Sequence, residues 1–553
     1  MRSRKDTRGF AIAVAAVVGW SSVSLAAVVL RDNDALPIPE PAEDEEGQYL
    51  WWNDAWTLSF YQTGKALDLG RLGRASAAVI ALAGPLEAAN VSAIDEVADS
   101  TWFTNRHAHQ KLSREDLARG AAHGEAPAEG PLTVVSGKSR GEVPGFMMKD
   151  TRGSRYLVKF DPPEFPEMGT GAELVSSRIV HALGWYVPDY YLVRIDPSRL
   201  VLADDATIED EYNRERPMRR RDLDDILGKV ARSKDGTFRA SASLFLPGKP
   251  KGPFLMQGMR ADDPNDTVPH EHRRDLRGFR VVAGWINHTD FRPANTLDVF
   301  VRDDADPPGH GHLVHYLLDF SSTLGSADLE WKKPRLGTEY QFDPPVILAN
   351  VLTLGFWVKE WEDNRLVHPT IGFLRGASHD PEEWVAEFPS PAFDRATFRD
   401  LFWGAKLVAS LDEADLGAIV DGAEWSDPAA GAALLERLVA RRKTILAAFF
   451  DFRRLNPLDR FAVAGERLES ADLAVGHGLV SPPAARYRSR IDGGDWVVAA
   501  GPAVPLPARR LVEVELETSH DGGERWSPTT RVALERSAGD SFEVVEIRRE
   551  TRR

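Results

Sequence analysis

The sequence predicts an α+β fold in which a β-rich unit precedes a largely helical unit and a small all-β domain ends the chain. Three observations support this order: strand-like runs dominate residues 131–260, helical periodicity dominates residues 261–460, and short alternating runs fill residues 461–553. Apolar residues with a period of two favour strands, whereas apolar residues three or four positions apart favour helices. The chain has 553 residues, 43% of them hydrophobic, which is enough for packed cores.

Charge and cysteine content exclude several classes of function. The net charge is −16, which argues against a general nucleic-acid binder because such proteins need a basic surface. The chain has no cysteine, which excludes disulfides, thiolate metal sites and cysteine nucleophiles. We therefore expect no nucleic-acid partner.

The N-terminal 30 residues have the pattern of a signal peptide or signal anchor. Basic residues in "MRSRKDTR" precede residues 10–30, none of which is charged. At about 1.5 Å per residue this stretch could cross a bilayer core, and Ser24 and Ala26 would suit a signal peptidase. Both forms predict an exported or membrane-anchored protein of the cell envelope or periplasm, with a cytoplasmic protein as the alternative. Residues 31–130 are expected to form a linker and a mixed region, with "LPIPEPAEDEEG" as solvated linker.

The β-rich unit begins with a strand, a glycine-containing loop and a hairpin. In "PLTVVSGKSRGEVPGFMMKDTRGSRYLVKF" the loop carries Gly137 and Gly141, and the second hairpin strand, "RYLVKF", carries Lys159. The next segment, "TGAELVSSRIVHALGW", has helical periodicity, and Thr170 and Glu173 in it have capping-box spacing. Further strands are predicted in "YYLVRI", "ASASLFL" and "GPFLMQGM".

The helical unit begins with a helix over residues 270–287 that leads directly into "NHTDFRPANTLD", residues 287–298. A hairpin of "TLDVFV" and "HLVHYLLDF" follows, and Asp319 ends its second strand. From residue 340 to about residue 453 the pattern is largely helical. This arrangement places Asp290 and Asn295 in a loop and Asp319 at a strand end.

Five of these side chains are of the types that phosphoryl transfer requires. A strand lysine such as Lys159 can contact phosphates, and a helix carboxylate such as Glu173 can hold it in place. A loop aspartate such as Asp290 can orient an acceptor hydroxyl and take its proton. Oxygen ligands such as Asn295 and Asp319 suit magnesium.

The order of these residues resembles that of the protein-kinase-like superfamily. "HTDFRPAN" is similar to its catalytic-loop pattern His-x-Asp-x-x-x-x-Asn, and "DFS" is similar to its metal-binding Asp-Phe-Gly. The layout around "WINHTD" resembles the HipA-type and lipid-kinase-like branches more than ordinary protein kinases. The resemblance covers about residues 131–455. It implies a two-lobed fold with a β-rich N-lobe, residues 131–260, and a helical C-lobe, residues 261–460.

The resemblance also implies a role for each residue. Lys159 would contact the phosphates of ATP, with Gly137 and Gly141 in the nucleotide-binding loop, and Glu173 would pair with Lys159. Asp290 would be the catalytic base, and the Mg²⁺ ligands it implies are Asn295 and Asp319. The glycine spacing departs from Gly-x-Gly-x-x-Gly, Ser321 replaces the glycine after Asp-Phe, and an Ala-Pro-Glu element is absent.

Each residue taken singly also has a structural interpretation. Lys159 could be an ordinary strand lysine, Glu173 a capping residue, and Asp290 a turn former. Two functions therefore stay open: an atypical kinase with an unidentified hydroxyl acceptor, or a kinase-shaped pseudoenzyme that serves as a binding or scaffolding module. The histidines of "HGHLVH" could bind zinc or form a polar hairpin tip, and "SHDGGERW" is typical of a tight β-turn.

Overall fold

The computed structural model describes residues 34–43, 86–122, 124–138, 143–210, 214–537 and 541–552. The predicted signal or anchor segment, residues 1–30, and Gly141 lie outside these residues. Among the helices of the described ranges, none is both long and apolar enough to cross a membrane. The fold is a mixed α/β arrangement with sheet-rich and helical parts.

The helices of the described residues are given first, in chain order. They are α1 (Arg114–Arg119), α2 (Met168–Leu183), α3 (Arg220–Leu227), α4 (Arg274–Trp285), α5 (Pro344–Leu352), α6 (Pro391–Asp394), α7 (Phe398–Ser410), α8 (Glu413–Asp421), α9 (Pro428–Phe449) and α10 (Leu473–Gly476).

The strands up to residue 331 are β1 (Ile38–Pro39), β2 (Leu132–Gly137), β3 (Gly145–Lys149), β4 (Arg155–Phe160), β5 (Tyr190–Ile195), β6 (Leu200–Glu209), β7 (Glu215–Pro217), β8 (Phe238–Leu244), β9 (Lys249–Pro250), β10 (Thr296–Val301), β11 (His310–Leu317), β12 (Ser326–Ala327) and β13 (Glu330–Trp331). The later strands are β14 (Leu366–His368), β15 (Gly372–Phe373), β16 (Leu458–Ala464), β17 (Arg467–Asp472), β18 (Arg486–Ile491), β19 (Val497–Ala499), β20 (Val504–Pro505), β21 (Leu511–Ser519), β22 (Thr530–Arg536) and β23 (Phe542–Arg549).

A seven-stranded sheet carries Lys159 near its centre. Its strand order is β5-β8-β4-β3-β2-β6-β7, and all neighbours are antiparallel except β2 and β6. Lys159 on β4 lies opposite Gly145 of β3 and Ser241 of β8. Val158 and Phe160 are buried in the core of this sheet. Because side chains alternate along a strand, Lys159 lies on the opposite face.

The start of α2 differs from the predicted capping box. The helix begins at Met168, so Thr170 lies inside its first turn rather than at the cap. The backbone N–H of Thr170 donates to Asp161 at 2.9 Å, and its hydroxyl donates to the same carboxylate at 2.5 Å. Asp161, from the loop after β4, thus supplies the acceptor that an N-cap side chain would otherwise provide. Gly184 ends the helix with a positive φ of 130°.

Helix α4 and the β10–β11 hairpin confirm the predicted frame around residues 287–298. Leu276, Phe279, Ala283 and Ile286 are all buried, although the helix ends at Trp285. Strands β10 and β11 pair antiparallel from Thr296 opposite Leu317 to Val301 opposite His312. The loop 287–295 is therefore held between a buried helix and a hairpin.

Two predicted stretches of secondary structure are wrong. "GPFLMQGM" forms no strand, and its Phe254 and Met256 instead pack as loop residues in the largest hydrophobic cluster. Between α5 and α6, residues 353–390 contain short strands, turns and one 3-10 helix, Glu360–Asp363, rather than α-helices. This stretch holds "FLRGASHDPEEW" and other runs rich in Gly, Asp and Pro, which disfavour a continuous helix.

Residues 34–43 are not a free linker. Ile38 is buried, pairs with Gly311 of β11, and packs on Phe300 and Leu313. Asp34 accepts hydrogen bonds from the backbone N–H and hydroxyl of Thr101. Strand pairing of Ile38, the contacts of Asp34 and the ion pairs of Glu40 with Lys249 and Lys251 therefore dock this acidic stretch on a sheet edge.

Three larger hydrophobic clusters organise the described residues. One fills the seven-stranded sheet, the largest unites α2, α4 and α7 to α9, and a third fills the C-terminal strands from Leu458 onward. The last cluster begins slightly before residue 461, the first residue of the predicted β domain. Lys159 lies between the first two clusters, because β4 belongs to the sheet and α2 to the largest cluster.

Candidate active site

Lys159 is the centre of a buried ionic cluster. Its side-chain nitrogen lies 2.8 Å from Oε1 of Glu173 and 2.8 Å from Oδ1 of Asp319. The residue is 7% exposed. Burial by itself lowers the pKa of Lys159, but Asp319 and Glu173 outweigh it and raise the pKa well above the ordinary value. The lysine is therefore a fixed positive charge that faces two carboxylates.

Glu173 is locked from two sides. It lies on α2, is 1% exposed, and accepts a hydrogen bond from the hydroxyl of Ser241 on β8 as well as from Lys159. Every residue of α2 is buried, so the helix cannot shift without disturbing the core. Glu173 thus positions Lys159 rigidly.

Asp319 is more open than its two partners. It follows β11 with a positive φ of 56°, accepts a hydrogen bond from Ser321 at 2.7 Å, and keeps 42% of its side chain exposed. Desolvation opposes its ionisation, but the charge of Lys159 and its hydrogen bonds hold the pKa below the ordinary value. Ser321 therefore orients this carboxylate. The exposed part of Asp319 is free to meet a cation.

Asp290 and Asn295 contact each other within the loop. The side-chain amide of Asn295 donates to Oδ2 of Asp290 at 2.9 Å and to its carbonyl at 2.7 Å. Nε of Arg292 lies 2.8 Å from Oδ1 of Asp290. Burial raises the pKa of Asp290 to about 6 although Arg292 and Asn295 oppose it, and Asp319 adds to the rise. A carboxylate with such a pKa suits proton transfer near neutrality.

Two charged residues that the sequence did not single out complete the cluster. Lys138, directly after Gly137, donates to the carbonyl of Val143 at 3.3 Å, and its pKa is lowered by burial and by Lys159. Gly137 itself ends β2 and packs against Ile208 of β6. Its structural role is thus close packing, while the next residue brings a second positive charge to the carboxylates.

Asp328 is the other addition. It lies in the β12–β13 turn with a positive φ of 64°, and its Oδ1 is buried without a hydrogen-bond partner among the described residues. Burial and then the charge of Asp319 raise its pKa. A buried oxygen without a donor beside a second carboxylate is an arrangement that a hard cation would stabilise. Asp319 and Asp328 therefore fit magnesium as oxygen ligands, with Oδ1 of Asn295 as a further oxygen.

A second buried lysine, Lys332, supports the loop that carries Asp290. Lys332 donates to the carbonyl of Asn287 at 3.1 Å, to the hydroxyl of Thr289 at 2.9 Å and to the carbonyl of Ser322 at 2.8 Å. Burial lowers its pKa to about 8. His288 is buried as well, packs against Phe320 with a ring-centroid distance of 5.5 Å, and has a pKa lowered to about 3 by burial. Both residues are structural supports of the segments that carry Asp290 and Asp319.

A pocket of about 430 Å³ borders Asp290 on its open side. Arg292, Lys333, Glu387 and Phe388 are among the residues that line it. It is large enough for an acceptor group to approach the carboxylate.

The other predicted candidates have structural roles. His310 and His312 lie on one face of β11 and His315 on the other, where it pairs with Asp298 at 2.6 Å, so the three histidines do not form a zinc site. Within the described ranges, one group of three potential metal ligands lies within 4.8 Å: Asp303, Asp306 and His312, at the hairpin tip. "SHDGGERW" forms the tight turn between β21 and β22.

Comparison with known proteins gives structural similarity alone. The chain matches no protein-family model, and no curated protein matches it. Among solved structures it is similar to the proinflammatory kinase CtkA of Helicobacter pylori, with 12% identity, a TM-score of 0.30, and coverage of 56% of this chain and 92% of that chain. It is also similar to the Golgi casein kinase, with 12% identity, a TM-score of 0.29, and coverage of 61% and 74%. That kinase with Mn/ADP bound gives 12% identity, a TM-score of 0.28, and coverage of 61% and 75%. These similar structures are thus protein kinases, at low TM-scores.

Proposed function

We propose that the protein is an atypical kinase that transfers the γ-phosphate of ATP to a hydroxyl acceptor with the help of magnesium. The observation that carries this proposal is the position of Lys159 between Glu173 and Asp319, at 2.8 Å from each carboxylate. Lys159 thus lies between a rigid helix carboxylate, Glu173, and a half-exposed one, Asp319. The proposed architecture has an N-lobe over residues 131–260, a C-lobe over residues 261–460 and a small β domain after it.

The nucleotide would be held through its phosphates. Lys159 and Lys138 supply positive charge on the same side of the sheet, where three carboxylates surround them. Phosphate oxygens would gain contacts with both ammonium groups. The loop between Gly137 and Gly145, which includes Gly141, would cover the phosphates.

Asp319, Asp328 and Asn295 would hold the metal. Carboxylate and amide oxygens are the ligands that Mg²⁺ prefers, and Oδ1 of Asp328 has no donor among the described residues. Bound magnesium would neutralise charge on the transferring phosphoryl group. Lys159 would keep Glu173 as a partner when Asp319 turns to the cation.

Asp290 would orient the acceptor and take its proton. It borders the pocket of about 430 Å³, and its raised pKa of about 6 makes it a stronger base than an ordinary aspartate. The acceptor would reach Asp290 through this pocket. We further propose that the enzyme is exported or membrane-anchored, because of the uncharged residues 10–30.

The test uses the full-length protein, purified in detergent. We expect magnesium-dependent nucleotide binding by thermal shift, loss of this shift in Lys159→Ala, and hydrolysis or transfer of labelled γ-phosphate that Asp290→Asn abolishes. Nucleotide binding without any phosphate transfer would favour the scaffolding alternative. Failure of every nucleotide to bind with magnesium would refute the kinase proposal.

A further inference from the structure

A second pocket lies beside the start of the loop that carries Asp290. It has a volume of about 330 Å³ and shares Asn287 with the start of that loop. Three tryptophans line it, together with basic and imidazole side chains: Trp357, Trp361, Trp384, Arg375, His379 and Arg441. The pocket is thus part aromatic and part cationic.

The polar side of this pocket has buried nitrogen atoms without hydrogen-bond partners among the described residues. Nε2 of His379 is buried without a hydrogen-bond partner, and the residue is 6% exposed. Nε and Nη2 of Arg375 are buried and lack partners as well. Buried polar atoms are normally paired, so three free nitrogen atoms around one cavity indicate a ligand with acceptor oxygens.

Arg441, a buried cation of this pocket, is bound to neutral groups. Arg441 donates to the carbonyls of Trp285, Arg375 and Gly284, none of which carries a charge. Burial and then Arg375 lower the pKa of Arg441 to about 9, and burial followed by three arginines lowers that of His379. The surroundings of these groups are therefore positive.

Three acidic residues, Glu339, Asp380 and Glu383, also line the pocket. Glu339 pairs with Lys359 at 3.0 Å and accepts a hydrogen bond from Trp361 at 2.6 Å. Asp380 accepts from the backbone N–H of Glu382 at 2.9 Å. Within the described ranges, no ion pair joins Arg375 or Arg441 to a carboxylate.

We propose that this pocket binds a phosphate monoester, with the phosphate against Arg375 and His379 and the rest of the ligand against the tryptophans. A tetrahedral phosphate offers several acceptor oxygens, which matches the unpartnered nitrogen atoms of Arg375 and of His379 in the tautomer that carries its proton on Nε2. The site lies apart from Lys159, so it is an additional ligand site rather than the nucleotide site.

The mouth of the pocket opens beside an exposed apolar segment. Helix α5 has no buried residue, and Leu354 and Phe356 after it are 84% and 86% exposed. The next residues, Trp357 and Val358, line the pocket. Because an exposed apolar segment can contact a membrane, the phosphate monoester would be either a soluble molecule or the head group of a phospholipid. Both present the same phosphate group to this site.

The site also contacts the loop that carries Asp290. Asn287 lines the pocket and accepts a hydrogen bond from Trp384 at 3.1 Å. Arg441 binds the last carbonyls of α4 directly before this loop. A ligand here would thus stabilise the frame of the loop.

The experiment uses the full chain with the Lys159→Ala substitution, which removes the proposed nucleotide site. The probes are inorganic phosphate and phenyl phosphate in calorimetry, and phosphatidylcholine vesicles with and without phosphatidic acid in sedimentation. We expect at least one phosphate probe to bind, and at least tenfold weaker binding after Arg375→Gln. His379→Gln provides a second variant, and Arg365→Gln, an exposed residue outside the pocket, should bind as the parent does.

The soluble probes and the vesicles distinguish a soluble phosphate monoester from a lipid head group. Phenyl phosphate binding that Arg375→Gln weakens supports a soluble monoester, whereas binding to phosphatidic acid vesicles alone, weakened by the same change, supports a lipid head group. The proposal is overturned if no probe binds, or if folded Arg375→Gln and His379→Gln proteins bind every probe as tightly as the parent. Neither result depends on phosphotransfer, so it is distinct from failure of the kinase proposal.

Discussion

The side-chain amide of Asn295 is hydrogen-bonded to Asp290 twice, at 2.9 Å to the carboxylate and at 2.7 Å to the backbone carbonyl. Both N–H groups of the amide are thereby directed at one residue, and its oxygen is left to face elsewhere. The contact fixes the carboxylate of Asp290 in a loop without regular structure. It also ties a proposed metal ligand to the proposed base.

Phosphotransfer should depend on pH through Asp290. A base must be unprotonated, and the pKa of Asp290 is raised to about 6. We therefore expect kcat to rise as pH increases through about 6 and to level off above it. Asp290→Asn should lower kcat by about 10²–10⁴ and leave nucleotide affinity unchanged. Initial rates across pH, with calorimetry for binding, measure both; a flat profile below pH 6 would exclude Asp290 as the base.

The same residue should destabilise the fold at neutral pH. Its folded pKa of about 6 exceeds the ordinary 3.8, so the folded state binds more protons between these values and stability falls as pH rises through this window. The Asp290→Asn variant has no carboxyl group at this position, so its stability lacks this pH dependence. The difference in unfolding free energy between the two proteins should shift by about 1–3 kcal/mol in favour of the variant between pH 4 and 7. Urea titrations at each pH measure it, and an unchanged difference would contradict the raised pKa.

Glu173→Gln should weaken both the fold and nucleotide binding. The variant keeps the shape of Glu173 but leaves the buried ammonium of Lys159 with Asp319 alone. We expect a loss of about 1–3 kcal/mol in unfolding free energy and about tenfold weaker nucleotide binding. Urea unfolding and calorimetry check these values. Glu413→Gln, at an exposed position on α8, serves as the control and should change neither.

Lys332→Met should disorder the loop without touching the nucleotide site. It removes three hydrogen bonds, two to carbonyls and one to Thr289, and leaves those acceptors buried. We expect kcat to fall by about tenfold or more with nucleotide affinity kept. Steady-state kinetics test this, with Lys443→Met on the exposed side of α9 as control. Weaker nucleotide binding with intact kcat would show that Lys332 acts elsewhere.

Asp328→Asn should raise the magnesium concentration that the protein needs. It removes one of two carboxylates proposed to hold the metal, while Asp319 remains. A rise of about tenfold in half-saturating magnesium is expected, measured by nucleotide-dependent thermal shift at varied magnesium. Asp225→Asn, at an exposed position on α3, is the matched control. Equal magnesium dependence in Asp328→Asn and the parent would remove Asp328 from the site.

Part of this arrangement could be predicted because short patterns encode it. Alternation of apolar and polar residues predicted that Lys159 lies on a strand, and helical periodicity predicted that Glu173 lies on a buried helix. The apolar run that ends at Asp319 predicted that this residue lies at the end of a strand. Their contacts follow once the helix packs on the sheet. The hairpin over residues 296–317 was equally clear, because both of its strands alternate and pair in simple register.

The rest depends on tertiary packing. Three charged residues of the site lie in turns or loops, where charged side chains are common: Lys138, Asp328 and Lys332. The sequence therefore does not distinguish them, and only the folded structure shows that they are buried beside other charges. Thr170 has capping-box spacing, but its hydroxyl and backbone N–H both donate to Asp161 from the preceding loop. The apolar run "GPFLMQGM" is buried without a partner strand, and periodicity alone cannot distinguish such a run from a strand.

The contact between Lys159 and Asp319 joins positions that are 160 residues apart, whereas Lys159 and Glu173 are separated by 14. Closing so long a stretch costs chain entropy that local packing must offset first. The two ends belong to different hydrophobic clusters, so the ammonium and the carboxylate meet when both clusters have condensed. The proposed active site would then form late in folding, after both clusters. A newly made chain would have no activity until the segments of both clusters had been synthesised and packed.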